Sequence, residues 1–176
     1  MYQRILVPVD GSPTSDRGLE EAIRLGTLTH GQLRLLHVVD ELSFALTMDG
    51  YAGYAGDWMD TLREGGKRIL ERAKARVTAA GLEAQTVLYD NLEGRVHALT
   101  VAEATKWPAD VIVIGTHGRR GVGRMVLGSS AEHVLRLSPV PVLLVRAPEP
   151  AAAPKLEAHD GSPVRVHLPT GALAME

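Results

Sequence analysis

Short, almost wholly apolar runs alternate along this chain with longer segments whose apolar residues recur every three or four positions. Ile5, Leu6, Val7 and Val9 mark the first run, within residues 4–10. Similar runs follow at 32–39, 83–89, 110–115 and 140–146. A surface strand would alternate apolar and polar residues, whereas the first run is apolar nearly throughout, as in a sheet covered on both faces. Between them lie helical patterns: Leu19, Ala22, Ile23 and Gly26; Trp58, Leu62, Ile69, Ala73 and Val77; Val96, Leu99 and Ala102 within 93–106; and a helix over 129–137. The resulting order, β-α-β-α-β-α-β-α-β, predicts an α/β protein with parallel strands joined by right-handed crossovers.

The punctuation supports that division. Pro8 cannot donate to a ladder, so the first strand loosens near its end. Asp10-Gly11-Ser12-Pro13 reads as a turn, with Ser15 or Asp16 as the cap of the helix that follows. Gly65 and Gly66 interrupt the second helix, predicting a kink or a close approach, and Gly81 stops it. Residues 40–57 form a long connection with Gly50, Gly53, Gly56, Tyr51 and Tyr54, of the kind that often carries function. From residue 147 the chain turns Ala/Pro-rich. We therefore divide it into a domain over 1–147 and a linker and tail over 148–176, in which Val164 to Leu168 has strand character.

Composition narrows the class. The chain has 176 residues, 45% hydrophobic but only 4% aromatic, so the core is built from aliphatic side chains. A formal net charge of −2 argues against a general nucleic-acid or membrane-surface binder. The absence of cysteine excludes disulfides, thiolate metal sites and a thiol nucleophile. The first residues enter a strand pattern directly, without a signal-peptide layout, and no apolar run approaches membrane-spanning length; a cytoplasmic location is expected.

The candidate chemistry lies after the fourth apolar run. Gly115-Thr116-His117-Gly118 is followed, nine residues later, by Gly128-Ser129-Ser130 at the start of the last helix. Strand, glycine loop and helix N-terminus in that order build an anion site: glycines admit a ligand close to the backbone, and the first N–H groups of the helix point outward with the positive end of its dipole. The same glycines would also serve merely to shape a long turn. The pattern lacks the Gly-Lys-Ser/Thr ending of a Walker loop, and it is not the G-x-G-x-x-G dinucleotide fingerprint.

Together with Ile5-Leu6-Val7-Pro8-Val9-Asp10-Gly11-Ser12 and Leu36-His37-Val38-Val39, this G-x2-G-x9-G-[S/T] spacing resembles the universal stress protein family, in its ATP-binding branch, over about residues 2–147. The resemblance implies an open five-stranded parallel sheet, Rossmann-like, of order 3-2-1-4-5 with helices on both faces. Strands 1 and 4 would then lie side by side where the winding reverses, the place where open α/β sheets bind ligands. It also implies ATP as ligand, with Pro8 lining the site, Asp10 accepting hydrogen bonds from ribose or base, and Val38 meeting adenine through its backbone. Ile114 and Gly115 would touch ribose and adenine, while Gly118, Gly128, Ser129 and Ser130 would hold phosphates. Where the family often carries Thr or Ser, this chain has Ala131, which removes one hydroxyl.

Alternatives stand beside these roles. For Asp10 the alternative is a residue that bonds its own turn. His37 reads as a packed or capping histidine. Arg119, Arg120 and Arg124 would neutralise phosphates or form a solvated basic loop, and His117 lies among them. No metal-ligating cluster and no catalytic constellation is legible, so Mg2+ or Mn2+ would ride on the phosphates, and hydrolysis would be slow at most. The function implied is a nucleotide-dependent sensor or regulatory module; a slow ATPase and a nucleotide-free interaction module are the alternatives. The edge strand Val140 to Val145 would pair with its copy in a homodimer, with Val142 and Leu144 near the axis.

Overall fold

The computed structural model describes residues 1–39, 58–90, 95–116 and 127–146. Five strands, β1 (Arg4–Pro8), β2 (Gln32–Val38), β3 (Ala84–Tyr89), β4 (Val111–Gly115) and β5 (Val142–Val145), form one sheet of order β3-β2-β1-β4-β5. Every neighbouring pair is parallel. The described helices are α1 (Pro13–Thr29), α2 (Trp58–Ala79), α3 (Val96–Lys106) and α4 (Ser129–Leu137). The predicted fold class and strand order are those observed. The segment 40–57, residues 117–126 and the tail lie outside the described residues.

The apolar strands split their side chains between two layers. Ile5, Val7, Leu33, Leu35, Val111 and Val113 pack with Leu19 and Ala22 of α1 and Leu70, Ala73 and Val77 of α2. Leu6, Leu36, Val38, Ile112 and Ile114 pack with Ala104 of α3 and Ala131 and Val134 of α4. The period-two alternation of strand side chains thus serves two cores at once.

Two local expectations are corrected and a third is resolved to one residue. The cap of α1 is Ser12 and neither Ser15 nor Asp16: Pro13 takes the first helical position, where its missing N–H costs nothing, and the Ser12 Oγ accepts the Ser15 N–H at 3.2 Å. In α3, Ala102 is exposed, and the inward residues are Thr100, Glu103 and Ala104, beside half-buried Val96 and Leu99. Periodicity misplaced the stripe because two of its buried members, Thr100 and Glu103, are polar. Of the two glycines in α2, Gly66 makes the close approach: a Cβ there would lie 2.8 Å from His37 and 2.8 Å from Leu88, whereas Gly65 faces open space.

Glu103 is only 1% exposed, and its burial is compensated by partners on the sheet. Arg34 of β2 donates to its Oε1 at 2.6 Å and the Tyr89 hydroxyl donates to its Oε2 at 2.8 Å. The Arg34 guanidinium also lies 4.6 Å above the Trp107 ring and donates to Gln85. Burial, and then the hydrogen bond to Glu103, push the Tyr89 phenol above its ordinary value. Removing one partner of a buried pair strands the other, so Glu103→Ala should lower unfolding free energy by roughly 3–5 kcal/mol, read by guanidinium denaturation. A loss below about 1 kcal/mol would mean that the pair acts as a surface ion pair.

Candidate functional site

The site begins with a ladder that stops. β1 pairs with β4 only at Ile5↔Val111 and Leu6↔Ile112, although β1 pairs with β2 as far as Pro8↔Leu36. The Val9 N–H donates to the Leu36 carbonyl on the β2 side. Successive N–H groups of a strand point to opposite sides, so position 8 faces β4, and there proline has no hydrogen to offer. The next β1–β4 bond cannot form. β4 meanwhile stays paired to β5 through Gly115↔Val145, and the Thr116 N–H donates to Val145. The β1–β4 ladder therefore ends early at the carboxyl ends of the strands, where the winding of the sheet reverses and open α/β folds form their crevice. At the opposite end the same two strands are pinned, because the Asp110 Oδ2 accepts the N–H groups of Gln3 and Arg4, each at 2.8 Å.

Asp10 stands just past the end of β1, half-buried. Its Oδ1 accepts the Ser12 N–H at 2.9 Å, closing the turn that Gly11 makes at φ 76°. The turn role read from sequence is thus observed. A carboxylate has about four acceptor positions, so this bond does not exhaust it. The Asp10 N–H donates to the Ser15 Oγ at 3.1 Å.

On the other wall, Ile114 and Gly115 end β4 and are buried. The first turn of α1 lies directly on Gly115, where a Cβ would sit 2.8 Å from the Thr14 carbonyl oxygen. Gly18, one turn further along α1, approaches the Gly115 nitrogen in the same way, at 3.2 Å from a built Cβ. The glycine that ends β4 is therefore required by helix packing, whatever else it does. Beyond it, the Gly128 N–H donates to the Thr116 carbonyl at 2.7 Å. The two ends of the glycine-rich loop are tied together, and the start of α4 is held beside the end of β4.

At that start, Gly128 is the N-cap residue, no side chain forms a capping bond, and the Glu132 N–H makes the first bond back to the Gly128 carbonyl at 2.9 Å. The N–H groups of Ser129, Ser130 and Ala131 precede that bond, so they are the outward-pointing donors of the helix. Ser129 is exposed and Ser130 half-buried; the Ala131 side chain is buried against the sheet. Val38, the last residue of β2, packs in the same layer. Of the residues singled out from sequence, Pro8, Asp10, Val38, Ile114, Gly115, Gly128, Ser129 and Ser130 thus all lie at the carboxyl end of the sheet or at the helix start tied to it. Gly118, His117 and the three loop arginines lie outside the described residues.

Between α3 and α4, the His97 and His133 rings stack with centroids 4.5 Å apart. The His133 Nδ1 meets the Ser129 carbonyl at 2.6 Å. Burial first, then the charges of His133 and Arg95, hold His97 below the ordinary histidine range. Among the described residues no group of three potential metal ligands converges, and no helix is long and apolar enough to cross a membrane.

Sequence reasoning missed the roles that Ser12, Thr14, Ser15 and Gly18 play here. A signal existed for the first and last: Ser-Pro before a helical pattern marks a cap, and a glycine inside a helix marks a close approach.

An open, doubly wound parallel sheet with an uncapped helix start beside its winding reversal defines the Rossmann-like α/β class. The chain belongs to the universal stress protein family, whose family model matches residues 1–146. It is 32% identical over 152 residues to universal stress protein MJ0531 of Methanocaldococcus jannaschii, covering 85% of each chain. The solved structure of MJ0577, from the same organism, superposes with a TM-score of 0.71 at 28% identity, covering 85% of this chain and 99% of that one. A universal stress protein solved in complex with cAMP matches with a TM-score of 0.58 at 26% identity, covering 82% of this chain and 97% of that one.

The packing at the cleft makes one demand that stability measurements can check. Gly115→Ala must displace the first turn of α1 and should cost roughly 1–3 kcal/mol in urea denaturation. Native stability in that variant would contradict the close approach.

Proposed function

We propose that this chain binds an adenine nucleotide, ATP, in the cleft between β1 and β4 and acts as a nucleotide-dependent sensor or regulatory module. The observation that carries the proposal is the convergence, at one winding reversal, of Asp10 from one strand end and the uncapped start of α4 from the other. Their chemistries are complementary. A carboxylate accepts hydrogen bonds from ribose hydroxyls or from an amino group of the base, and a helix start offers N–H donors and positive dipole to phosphates. A relative solved with cAMP supports the adenine class.

In this reading Pro8 and Ile114 line the cleft, Val38 meets adenine through its backbone, and Gly115 lies against the nucleoside. Gly118, Gly128, Ser129 and Ser130 hold the phosphates. A Mg2+ or Mn2+ ion travels with the phosphates and needs no protein ligand. The reading assigns binding and no catalytic step. It places the protein in the cytoplasm as a homodimer, its β5 edges paired about a two-fold axis. β5 is the last strand of the sheet, and Leu143 on it is 38% exposed, which suits such pairing.

ATP should raise the melting temperature, since a ligand at a hundred times its Kd contributes about 2.7 kcal/mol. Asp10→Ala should weaken ATP binding about tenfold, the effect of losing a hydrogen bond to a charged group, read by isothermal titration. No thermal shift at millimolar ATP, with or without Mg2+, would overturn the assignment.

A further inference from the structure

The peptide group joining Val9 to Asp10 is held at both of its polar ends. Its carbonyl, on Val9, lies 2.7 Å from the Nδ1 of His37. Its N–H, on Asp10, donates to the Ser15 Oγ at 3.1 Å. A carbonyl oxygen only accepts, so the His37 Nδ1 carries the proton and donates. Fixing the carbonyl and the N–H of one peptide fixes its plane. The plane sets the direction in which the next residue leaves the chain, and that residue is Asp10.

His37 is itself fixed. It is 3% exposed near the end of β2, on the sheet face under α2. Gly66 of α2 lies directly over it, where a Cβ would come within 2.8 Å of the imidazole Cδ2. Any larger residue at 66 would push the ring or the helix. The imidazole thus occupies a slot formed by β1, β2 and α2, and its hydrogen bond reaches the strand end just after the ladder to β4 has stopped. The turn chemistry of residues 10–13 does not account for a buried, hydrogen-bonding ring at this place. An apolar side chain would fill the layer as well.

We propose that His37 is a positioning residue for the nucleotide site: through the Val9 carbonyl, opposite Ser15, it orients Asp10 toward the cleft. The inference rests on the reading that Asp10 contacts the nucleoside. His37 touches no ligand and transfers no proton; it acts through Asp10 alone. Its loss therefore matters only while Asp10 is present.

A double-mutant cycle reads this directly. ATP affinity is measured by isothermal titration for the native protein, His37→Leu, Asp10→Ala and the double variant. His37→Leu should weaken ATP about tenfold in the native background, the scale of one hydrogen bond. It should change affinity less than about twofold when Asp10 is already alanine. His37→Asn, whose side-chain N–H group can stand near the former Nδ1, should restore binding. Equal fold-losses in both backgrounds, or unchanged affinity in His37→Leu, would overturn the proposal. If His37→Leu does not fold, Ser15→Ala releases the other end of the same peptide and is read in the same cycle.

Failure of the parent reading is separable. Should the native protein bind no ATP, hydrogen exchange of the Asp10 amide still decides the positioning role. Faster exchange in His37→Leu, by about tenfold, with native rates in His37→Asn, supports it, on the scale of one lost hydrogen bond. Native exchange in His37→Leu overturns it.

Discussion

One missing hydrogen shapes the functional end of this molecule. In a parallel sheet each strand is bonded to both neighbours, and nothing in the apolar runs of β1 and β4 would separate them. Position 8 turns its backbone nitrogen toward β4, and proline leaves that position without a donor. The pairing of the two strands ends after Leu6 and Ile112, while each stays paired with its other neighbour, β2 or β5. At the far end Asp110 holds them together through two backbone N–H groups. The crevice itself belongs to the winding reversal between β1 and β4, and Pro8 ends their ladder at that place.

What surrounds the cleft is mostly backbone, held by small residues. Gly18 and Gly115 let the start of α1 rest on the end of β4, and the Gly128–Thr116 bond brings α4 to the same place. Asp10 reaches the opening from a turn whose N–H groups are bonded by its own carboxylate and by serine. A site made this way depends on the relative positions of helices and strands. That gives the buried Arg34–Glu103–Tyr89 cluster its importance on the other layer, where it ties α3 to β2 and β3.

The alternation of strands and helices is legible from local signals, whereas the strand order follows from the family resemblance and from no local pattern. Near-continuous apolar runs mark buried parallel strands, and the family's glycine spacing marks the segment after β4. The details that failed have physical reasons. Glu103 breaks an apolar stripe because its charge is neutralised by Arg34, 69 positions away in sequence. Helical periodicity cannot register such a partner, so the inward face of α3 was assigned to Ala102. Ser15 and Asp16, the cap candidates, lie three and four residues beyond the observed cap, although Ser12-Pro13 carries the signal. His37 reads from sequence as packing; its bond to Val9 exists only once β1 and β2 are adjacent and out to the very end of their pairing. The Gly66 contact is likewise visible only after α2 lies on the sheet.

The central claim is that the opening beside Pro8 receives a nucleotide, nucleoside toward Asp10 and phosphates toward residues 128–130. A crystal structure of the protein grown with saturating ATP tests it most directly. The account predicts ribose or base within hydrogen-bonding distance of the Asp10 carboxylate and a phosphate on the N–H groups at the start of α4. A nucleotide bound elsewhere, or a cleft that stays empty at saturation, would contradict it.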